Sequence, residues 1–194
     1  MGLITTAEAK TYLSVTGSTE DTTIAELVNV AGKALSGACR RRLEAETVTE
    51  YRDGTGQRKM WLDEPASAKP QIYVDSNHEW GAATEIAAAD LLWLAGRDGT
   101  SREVEYVDSV FTEGNSNIKA SYTSGFASVG MPEIVKQACR IQVARLYSEW
   151  KRAAQRMDIL ASQNVGGWAQ TFVDKEGIDP LALQLLADYV HEGI

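Results

Sequence analysis

Residues 122–146 read Tyr-Thr-Ser-Gly-Phe-Ala-Ser-Val-Gly-Met-Pro-Glu-Ile-Val-Lys-Gln-Ala-Cys-Arg-Ile-Gln-Val-Ala-Arg-Leu, and they carry three structural signals in succession. The residues before Gly125 are typical of a strand end, and the glycine itself favours a turn. Pro132 suits the first position of a helix, and apolar residues such as Val135 and Cys139 then recur on one helical face. The stretch predicts a strand, a turn and an amphipathic helix, and it contains no recognisable catalytic motif.

Two further helices are predicted near the N-terminus. Thr5-Thr6-Ala7-Glu8 is a capping box, because the threonine hydroxyl and the glutamate carboxylate can each satisfy an unpaired amide of the first turn. This helix should end at about Leu13. A second start signal, Ser18-Thr-Glu-Asp21, opens a longer helix, and its apolar residues recur at spacings of three and four. We expect these residues to form one buried face: Ile24, Leu27, Val28, Ala31, Ala34, Leu35 and Ala38.

The middle of the chain has the alternating pattern and the turn residues of a β-rich region. Strands are predicted at 48–52 and 57–62, with Asp53-Gly-Thr-Gly56 between them as a hairpin turn. Residues 84–94 fit either helical or strand spacing, and we favour strand or irregular structure there. Further short strands are predicted at residues 71–74, 103–107 and 118–123.

After the strands, the long helix should run from Pro132 to about Ala161. Asn164-Val-Gly-Gly-Trp168 ends it, and residues 168–174 are expected to be extended. Pro180 then begins a last helix. We expect four of its apolar residues to share a face: Leu181, Leu185, Leu186 and Tyr189.

The predicted fold class is α+β. An antiparallel helical bundle is formed by the two N-terminal helices, the long helix from Pro132 and the C-terminal helix, with a β-rich insert of short antiparallel strands between helices two and three. We treat residues 1–194 as a single domain. Its parts are a helical core (1–43 and 131–162), a β-rich insert (44–130) and a C-terminal tail with its helix (163–194).

Composition excludes several classes of protein. The 19 basic and 27 acidic residues give a net charge of −8, which argues against binding that depends on neutralising nucleic-acid phosphates. Cys39 and Cys139 do not form a disulfide framework, and we expect two reduced, buried thiols on the facing helices. No apolar run approaches the ~18 residues that span a bilayer, so we expect a protein that is soluble when made and has no membrane partner.

No catalytic, metal or cofactor site is predicted. His78 lies in a predicted turn and His191 near the end of the last predicted helix, and neither lies in a metal-binding or general-base frame. Asp53-Gly-Thr-Gly56 lacks the Gly-Lys-Ser/Thr of a phosphate loop, and the acidic residues are not paired as two-metal ligands. Cys139 lies on an apolar stripe without a partner histidine frame. We therefore expect a protein that is not an enzyme.

Charged and aromatic residues instead indicate contacts between subunits. Arg140, Arg145 and Arg152 on the long helix fit ion pairs between subunits better than DNA contacts, because acidic residues dilute the basic face. Trp80 in a turn and Trp168 after a glycine pair are not obviously required by core packing. Aromatic residues are enriched at protein interfaces, so both are intersubunit candidates.

Taken in order, six motifs resemble the head-tail connector (adaptor, head-completion) protein family of tailed bacteriophages. Each motif alone is turn or capping chemistry, but their order and spacing across residues 3–150 are fairly specific. The motifs are Thr5–Leu13, Thr19–Asp21, Arg41–Leu43, Tyr51–Gly54, Tyr122–Ala127 and Pro132–Ala138.

The resemblance implies a structural head-to-tail adaptor at the head-tail junction of a virion, assembled in the cytoplasm of a bacterial host. Such proteins form a homo-oligomeric ring of about a dozen copies, closed by heterologous contacts, below the portal protein. The ring extends the DNA channel and is the docking platform for the stopper or tail-completion protein. The free protein is expected to be a monomer. A net-negative channel would let DNA pass without specific binding.

The resemblance also implies that the C-terminal helix docks on the portal through Leu181, Leu185, Leu186, Tyr189 and Val190. The alternative is that the same leucines pack on the long helix of their own subunit. A different function also stays open, namely a DNA-packaging accessory or nucleic-acid-binding protein, which salt-dependent DNA binding would reveal. An uncharacterised hydrolase has no set of residues to support it.

Overall fold

The computed structural model describes residues 2–96, 98–127, 130–162 and 177–190. Over these residues the chain is α+β with antiparallel strands, which confirms the predicted class. It divides into two compact units. Arg41–Ala127 form the β unit, and the residues before and after them form the helical unit.

The first two helices of the helical unit have local capping features at the start of α1 and at the end of α2. Helix α1 spans Thr6–Leu13, and its capping box is present because the Thr5 hydroxyl accepts from the Glu8 amide at 3.1 Å while Glu8 Oε2 accepts from the Thr5 amide at 2.7 Å. Helix α2 spans Asp21–Cys39 and ends at Arg40, which has a left-handed φ of 50°. The predicted apolar face is confirmed for Ile24, Val28, Ala31 and Leu35, all of which are buried.

Helix α3 spans Glu133–Ser162 and contacts α1, α2 and α4. The stripe beginning at Val135 is buried, and it includes Cys139, which like Cys39 has no exposed surface. Helix α4 is shorter than expected: it spans Pro180–Leu185 and is followed by a 3₁₀ turn at Ala187–Tyr189. The expected extended segment at 168–174, with Trp168, lies outside the described residues, as does His191.

The β unit contains strands β1 (Glu46–Gly54), β2 (Lys59–Ala66), β3 (Gln71–Val74), β4 (Leu91–Leu92), β5 (Ser101–Tyr106) and β6 (Gly114–Ser124). Their order in the sheet is β1-β6-β2-β5-β4, and β3 also pairs with β6. On β6, Ile118, Ala120 and Tyr122 are buried and alternate with half-buried polar residues, as their spacing predicts. Residues 84–94 contain 3₁₀ turns and the short β4, so they are mostly irregular.

The predicted hairpin between β1 and β2 is wrong. β1 pairs with β6 from Glu46↔Ser124 to Arg52↔Ile118, and β2 pairs mainly with β5. The turn after β1 is held by a different part of the chain, because the Gly54 amide donates to Asn117 Oδ1 at 2.8 Å. Its glycines therefore fit a turn that is tied to the start of β6.

Side chains join β1 to β2 where no ladder does. The buried carboxylate of Glu50 accepts from the Asp63 amide at 3.1 Å and from the Tyr122 hydroxyl at 2.9 Å. Tyr122 in turn accepts from the Glu64 amide at 3.2 Å. Burial is the main cause of a raised pKa at Tyr122, so its hydroxyl stays protonated as a donor. Three strands are thereby connected through one satisfied polar network.

Gly125, directly after β6, occupies a position that only glycine fits. Its φ is +84°, and a Cβ there would lie 2.1 Å from the carbonyl oxygen of Glu44. The neighbouring Phe126 amide donates to the Leu43 carbonyl at 2.9 Å, and the Ala45 amide donates to the Phe126 carbonyl at 3.1 Å. This close approach of two backbones explains the glycine of the Tyr-Thr-x-Gly-Phe motif.

We predict that Gly125→Ala lowers the free energy of unfolding by at least about 2 kcal/mol, since left-handed strain and a backbone clash act together. Gly37→Ala is the matched control. Gly37 lies in α2 with open space around it, so the same added methyl should stabilise the chain by about 0.5–1 kcal/mol. Urea unfolding followed by circular dichroism measures both. Wild-type stability of Gly125→Ala would contradict this explanation of the turn.

Candidate functional site

The basic side chains of α3 differ in the acidic partners that they have within the chain. Arg140 pairs with Glu133 and lies 3.8 Å from Glu8 of α1, and Lys136 lies 3.9 Å from the same carboxylate. Hydrogen bonds from Thr5, with help from these two cations, lower the pKa of Glu8. Arg140 therefore holds α1 against α3. Its intersubunit role stays a prediction.

The other two intersubunit candidates on α3 lie further along the helix. Arg145 pairs with Glu149 one turn away at 3.1 Å, while Arg152 is exposed. The Arg145 side chain is only 14% exposed, so this contact is made largely within its own subunit. The intersubunit roles of Arg145 and Arg152 stay predictions.

A second cluster ties the start of α2 to the middle of α3. The Glu20 carboxylate accepts from the Tyr147 hydroxyl at 2.5 Å and from the Lys151 ammonium. Lys151 also lies over the rings of Tyr147 and Trp150, 5.4 and 5.3 Å from their centroids. The hydrogen bond from Lys151 is the main cause of a lowered pKa at Glu20.

We predict that Glu20→Gln destabilises the chain at neutral pH and has little effect at acid pH. A lowered carboxyl pKa stabilises the fold above the ordinary value of 4.5 and stops doing so as the pH falls through the folded value. Urea unfolding of wild type and variant at pH 7 and pH 3 checks this, with Tyr147→Phe as a companion that removes one donor. An equal difference at both pH values would contradict the role of the Glu20 charge.

The terminal segment is attached to α3 by a fully buried amide. Gln142 Nε2 donates to the Gly177 carbonyl at 2.9 Å, and its Oε1 accepts from the Asp179 amide at 2.8 Å. Asp179 also caps α4 by accepting from the Leu181 amide at 2.9 Å. Because both ends of the Gln142 amide are bonded, these hydrogen bonds offset the cost of removing the amide from water.

The five residues that the resemblance assigns to portal docking differ in how deeply they are buried in their own subunit. Leu186 is completely buried in its own subunit, and Leu185 and Tyr189 are half-buried. Leu181 and Val190 are exposed, with 52% and 40% of their surface accessible. Leu181 therefore does not share a buried face with the other predicted residues. Helix α4 ends at Leu185, and the residue that it buries is Ala182.

We predict that Gln142→Leu releases the terminal segment by leaving the Gly177 carbonyl and the Asp179 amide without partners, at a cost of about 1–3 kcal/mol each if they stay buried. Limited proteolysis should cut near residues 177–190 faster than in wild type. Gln137→Leu, the same change five residues earlier on the same helix, is the control. Unchanged proteolysis of Gln142→Leu would show that the amide is not the anchor.

Trp80, the aromatic candidate in the β unit, is held in a fixed turn. The Asp75 carboxylate accepts from the amides of Asn77, Glu79 and Trp80 at 2.8, 3.0 and 3.2 Å. The bond from Asn77 is the main reason that the pKa of Asp75 is lowered. The Trp80 ring lies 5.5 Å from that of Tyr51 and 5.6 Å from that of His78. Tyr51 is 54% exposed, so the aromatic cluster opens to solvent.

Three participants in these arrangements were not predicted from the sequence. Gln142 is a polar residue inside the apolar stripe of α3, and that interruption was an available signal. Asp75 begins an Asp-Ser-Asn turn, which favours carboxylate-to-amide bonds. Tyr51 had no such signal, because its contact with Trp80 depends on how distant segments meet.

Two negative findings bear on the chemistry. Within residues 2–96, 98–127, 130–162 and 177–190, no three His, Cys, Asp or Glu side chains are grouped so as to hold a metal ion. Among the helices that the structure describes, none is both long and apolar enough to cross a bilayer. What the structure describes is an α+β protein whose charged and polar clusters connect helices within one unit and strands within the other.

The comparison with protein families gives this class a specific identity. Residues 2–189 match the family model described as head completion protein, and the chain therefore belongs to the head completion protein family. The resemblance inferred from the ordered motifs is thus confirmed. No curated relative matches the chain at a significant level.

Solved structures share the fold over nearly the whole chain. A chain in the neck of an empty gene transfer agent particle, computed with C6 symmetry, is 16% identical with a TM-score of 0.62, covering 99% of this chain and 91% of that one. A chain in the native gene transfer agent virion is also 16% identical, with a TM-score of 0.61 over the same shares. A third, from the native neck computed with C12 symmetry, is 15% identical with a TM-score of 0.60, covering 97% and 88%.

Proposed function

We propose that this chain is a structural, non-enzymatic head-to-tail adaptor that forms a ring below the portal of a phage or phage-like particle. The observation that carries the proposal is the fold shared with neck proteins over 99% of this chain, together with membership of the head completion family. In this role the ring extends the DNA channel and provides the platform for a stopper or tail protein.

The symmetry of the related necks supports a closed ring. The similar chains come from necks computed with C6 and C12 symmetry, so a ring of about a dozen copies suits this chain. We further propose that the helical unit is an antiparallel bundle. The contacts of α3 with α1, α2 and α4 support this arrangement.

Charge supports a channel through which DNA passes without binding. Residues 41–127 contain nine basic and fifteen acidic residues, which gives the β unit −6 of the total charge of −8. A surface of that sign repels phosphates, whereas a DNA-packaging accessory that binds DNA needs a basic patch. The adaptor role therefore accounts for the charge better than the nucleic-acid-binding alternative does.

For portal docking, we propose that Leu181 and Val190 provide the outward contacts of the terminal segment. Their exposure leaves them available to a groove in the portal, while Ala182 and Leu186 attach the segment to its own subunit. Deleting the whole segment would disturb both roles together. Point substitutions of the exposed residues separate them.

We predict that Leu181→Ser with Val190→Ser leaves thermal unfolding unchanged and weakens binding to DNA-filled heads that lack this protein by at least about tenfold. Val110→Ser, on a β-unit residue that is 43% exposed, is the control and should bind as wild type. Binding is measured by co-sedimentation with the heads. Wild-type binding of the double variant would exclude portal docking through these two residues.

A further inference from the structure

The turn that holds Trp80 is more constrained than an ordinary surface loop. His78 and Trp80 both have left-handed backbones, with φ of 61° and 50°, which is uncommon for residues other than glycine. The three amide bonds to Asp75 fix this conformation, and the His78 ring nitrogen Nε2 lies 3.3 Å from the Asn115 carbonyl oxygen. Such strain is found where a side chain must be presented in a fixed position.

Exposed carboxylates accompany these rings. Asp53 lies two residues along β1 from Tyr51, where it accepts from the Ser116 amide at 2.6 Å, and Glu79 directly precedes Trp80. Among the described residues, neither carboxylate forms an ion pair. We name Tyr51, Asp53, His78, Glu79 and Trp80 the aromatic-acidic cluster. Carboxylates beside open aromatic faces form a site for an ammonium or guanidinium group.

The helical unit carries a surface of the opposite sign. Val30 and Lys33 are exposed residues one turn apart on α2, and the exposed Arg40 is the residue at which the helix ends. In the part of the chain that the structure describes, neither Lys33 nor Arg40 pairs with an acid. Gly37 between them has open space around it, so a partner can approach the helix closely. We name Val30, Lys33 and Arg40 the cationic helix face.

We propose that the aromatic-acidic cluster of one copy receives the cationic helix face of a second copy, and that this is the contact that joins neighbours in the ring. The inference rests on the proposed adaptor function. A heterologous interface needs two different, complementary surfaces on the same chain. After intrachain pairing, the β unit has unpaired carboxylates at exposed aromatic rings, and α2 has unpaired cations beside an exposed valine.

The same features disfavour two other partners for the aromatic-acidic cluster, namely nucleic acid and the same cluster of a second copy. Nucleic acid would meet the carboxylates of Asp53 and Glu79, and the unit that carries them has a net charge of −6. Two identical copies of the cluster facing each other would bring like charges together. A cationic surface of the neighbouring copy avoids both costs and makes the cluster the anchor of the contact.

Charge reversal in the assembled neck tests this proposal. Purified Glu79→Lys and the pair Lys33→Glu with Arg40→Glu are each added to DNA-filled heads that lack the protein, and bound copies per head are counted. Each reversal should reduce ring occupancy at least about tenfold, and combining all three substitutions should restore most of it. Arg58→Glu and Trp61→Ala, exposed β-unit residues outside the cluster, are controls that should assemble as wild type.

The outcomes separate this inference from the proposed function. If wild type binds the heads and both reversals also form full rings, the interface is wrong and the adaptor role stands. Failure of the combined variant to recover, while it remains folded by circular dichroism, would also overturn the interface. If folded wild type does not bind heads at all, the adaptor function itself fails. Specific binding of a single-stranded oligonucleotide that Trp80→Ala abolishes would show that the cluster serves nucleic acid instead.

Discussion

The helical unit depends on the burial of one face of α3. Val135, Cys139 and Val143 supply its apolar surface, and burying each side chain of this size contributes about 1.5–3 kcal/mol. Gln142 lies on the same buried part of the helix. Its side-chain amide donates to one backbone carbonyl and accepts from one backbone amide of the terminal segment, so only a segment with both groups in these positions satisfies it. The helix therefore fixes both the stability of the unit and the position of the terminal segment.

In the proposed adaptor, that arrangement gives the terminal segment two roles at once, packing on its own subunit and docking on the portal. Leu186 and Ala182 hold it on its own subunit, and Leu181 and Val190 face outward. A docking element attached in this way is already ordered, so binding costs less conformational entropy than folding a loose tail would. Under this proposal, different residues of one short segment pack on their own subunit and dock on the portal.

The local features of the fold were predictable from the sequence, and the distant ones were not. The Thr5–Glu8 capping box, the Pro132 start and the alternation on β6 depend on neighbours within a few residues, and all three are confirmed. The β1–β2 hairpin failed because β1 pairs with a strand about seventy residues away, and a turn sequence does not exclude such pairing. Of the two ring partners Tyr51 and Trp80, the sequence predicted only Trp80 as a contact residue. Tyr51 was missed because its strand is positioned by that same distant pairing. The family was predictable from the order of several weak motifs, and the family match confirms it.

The proposed adaptor function requires that this chain assembles as a ring at the portal vertex. Electron cryomicroscopy of DNA-filled heads that lack the protein, imaged before and after addition of the purified chain, tests it most directly. We predict new ring-shaped density below the portal, with about twelve copies related by rotation and the channel left open. Unchanged density at the vertex, with the added protein shown to be folded, would contradict it.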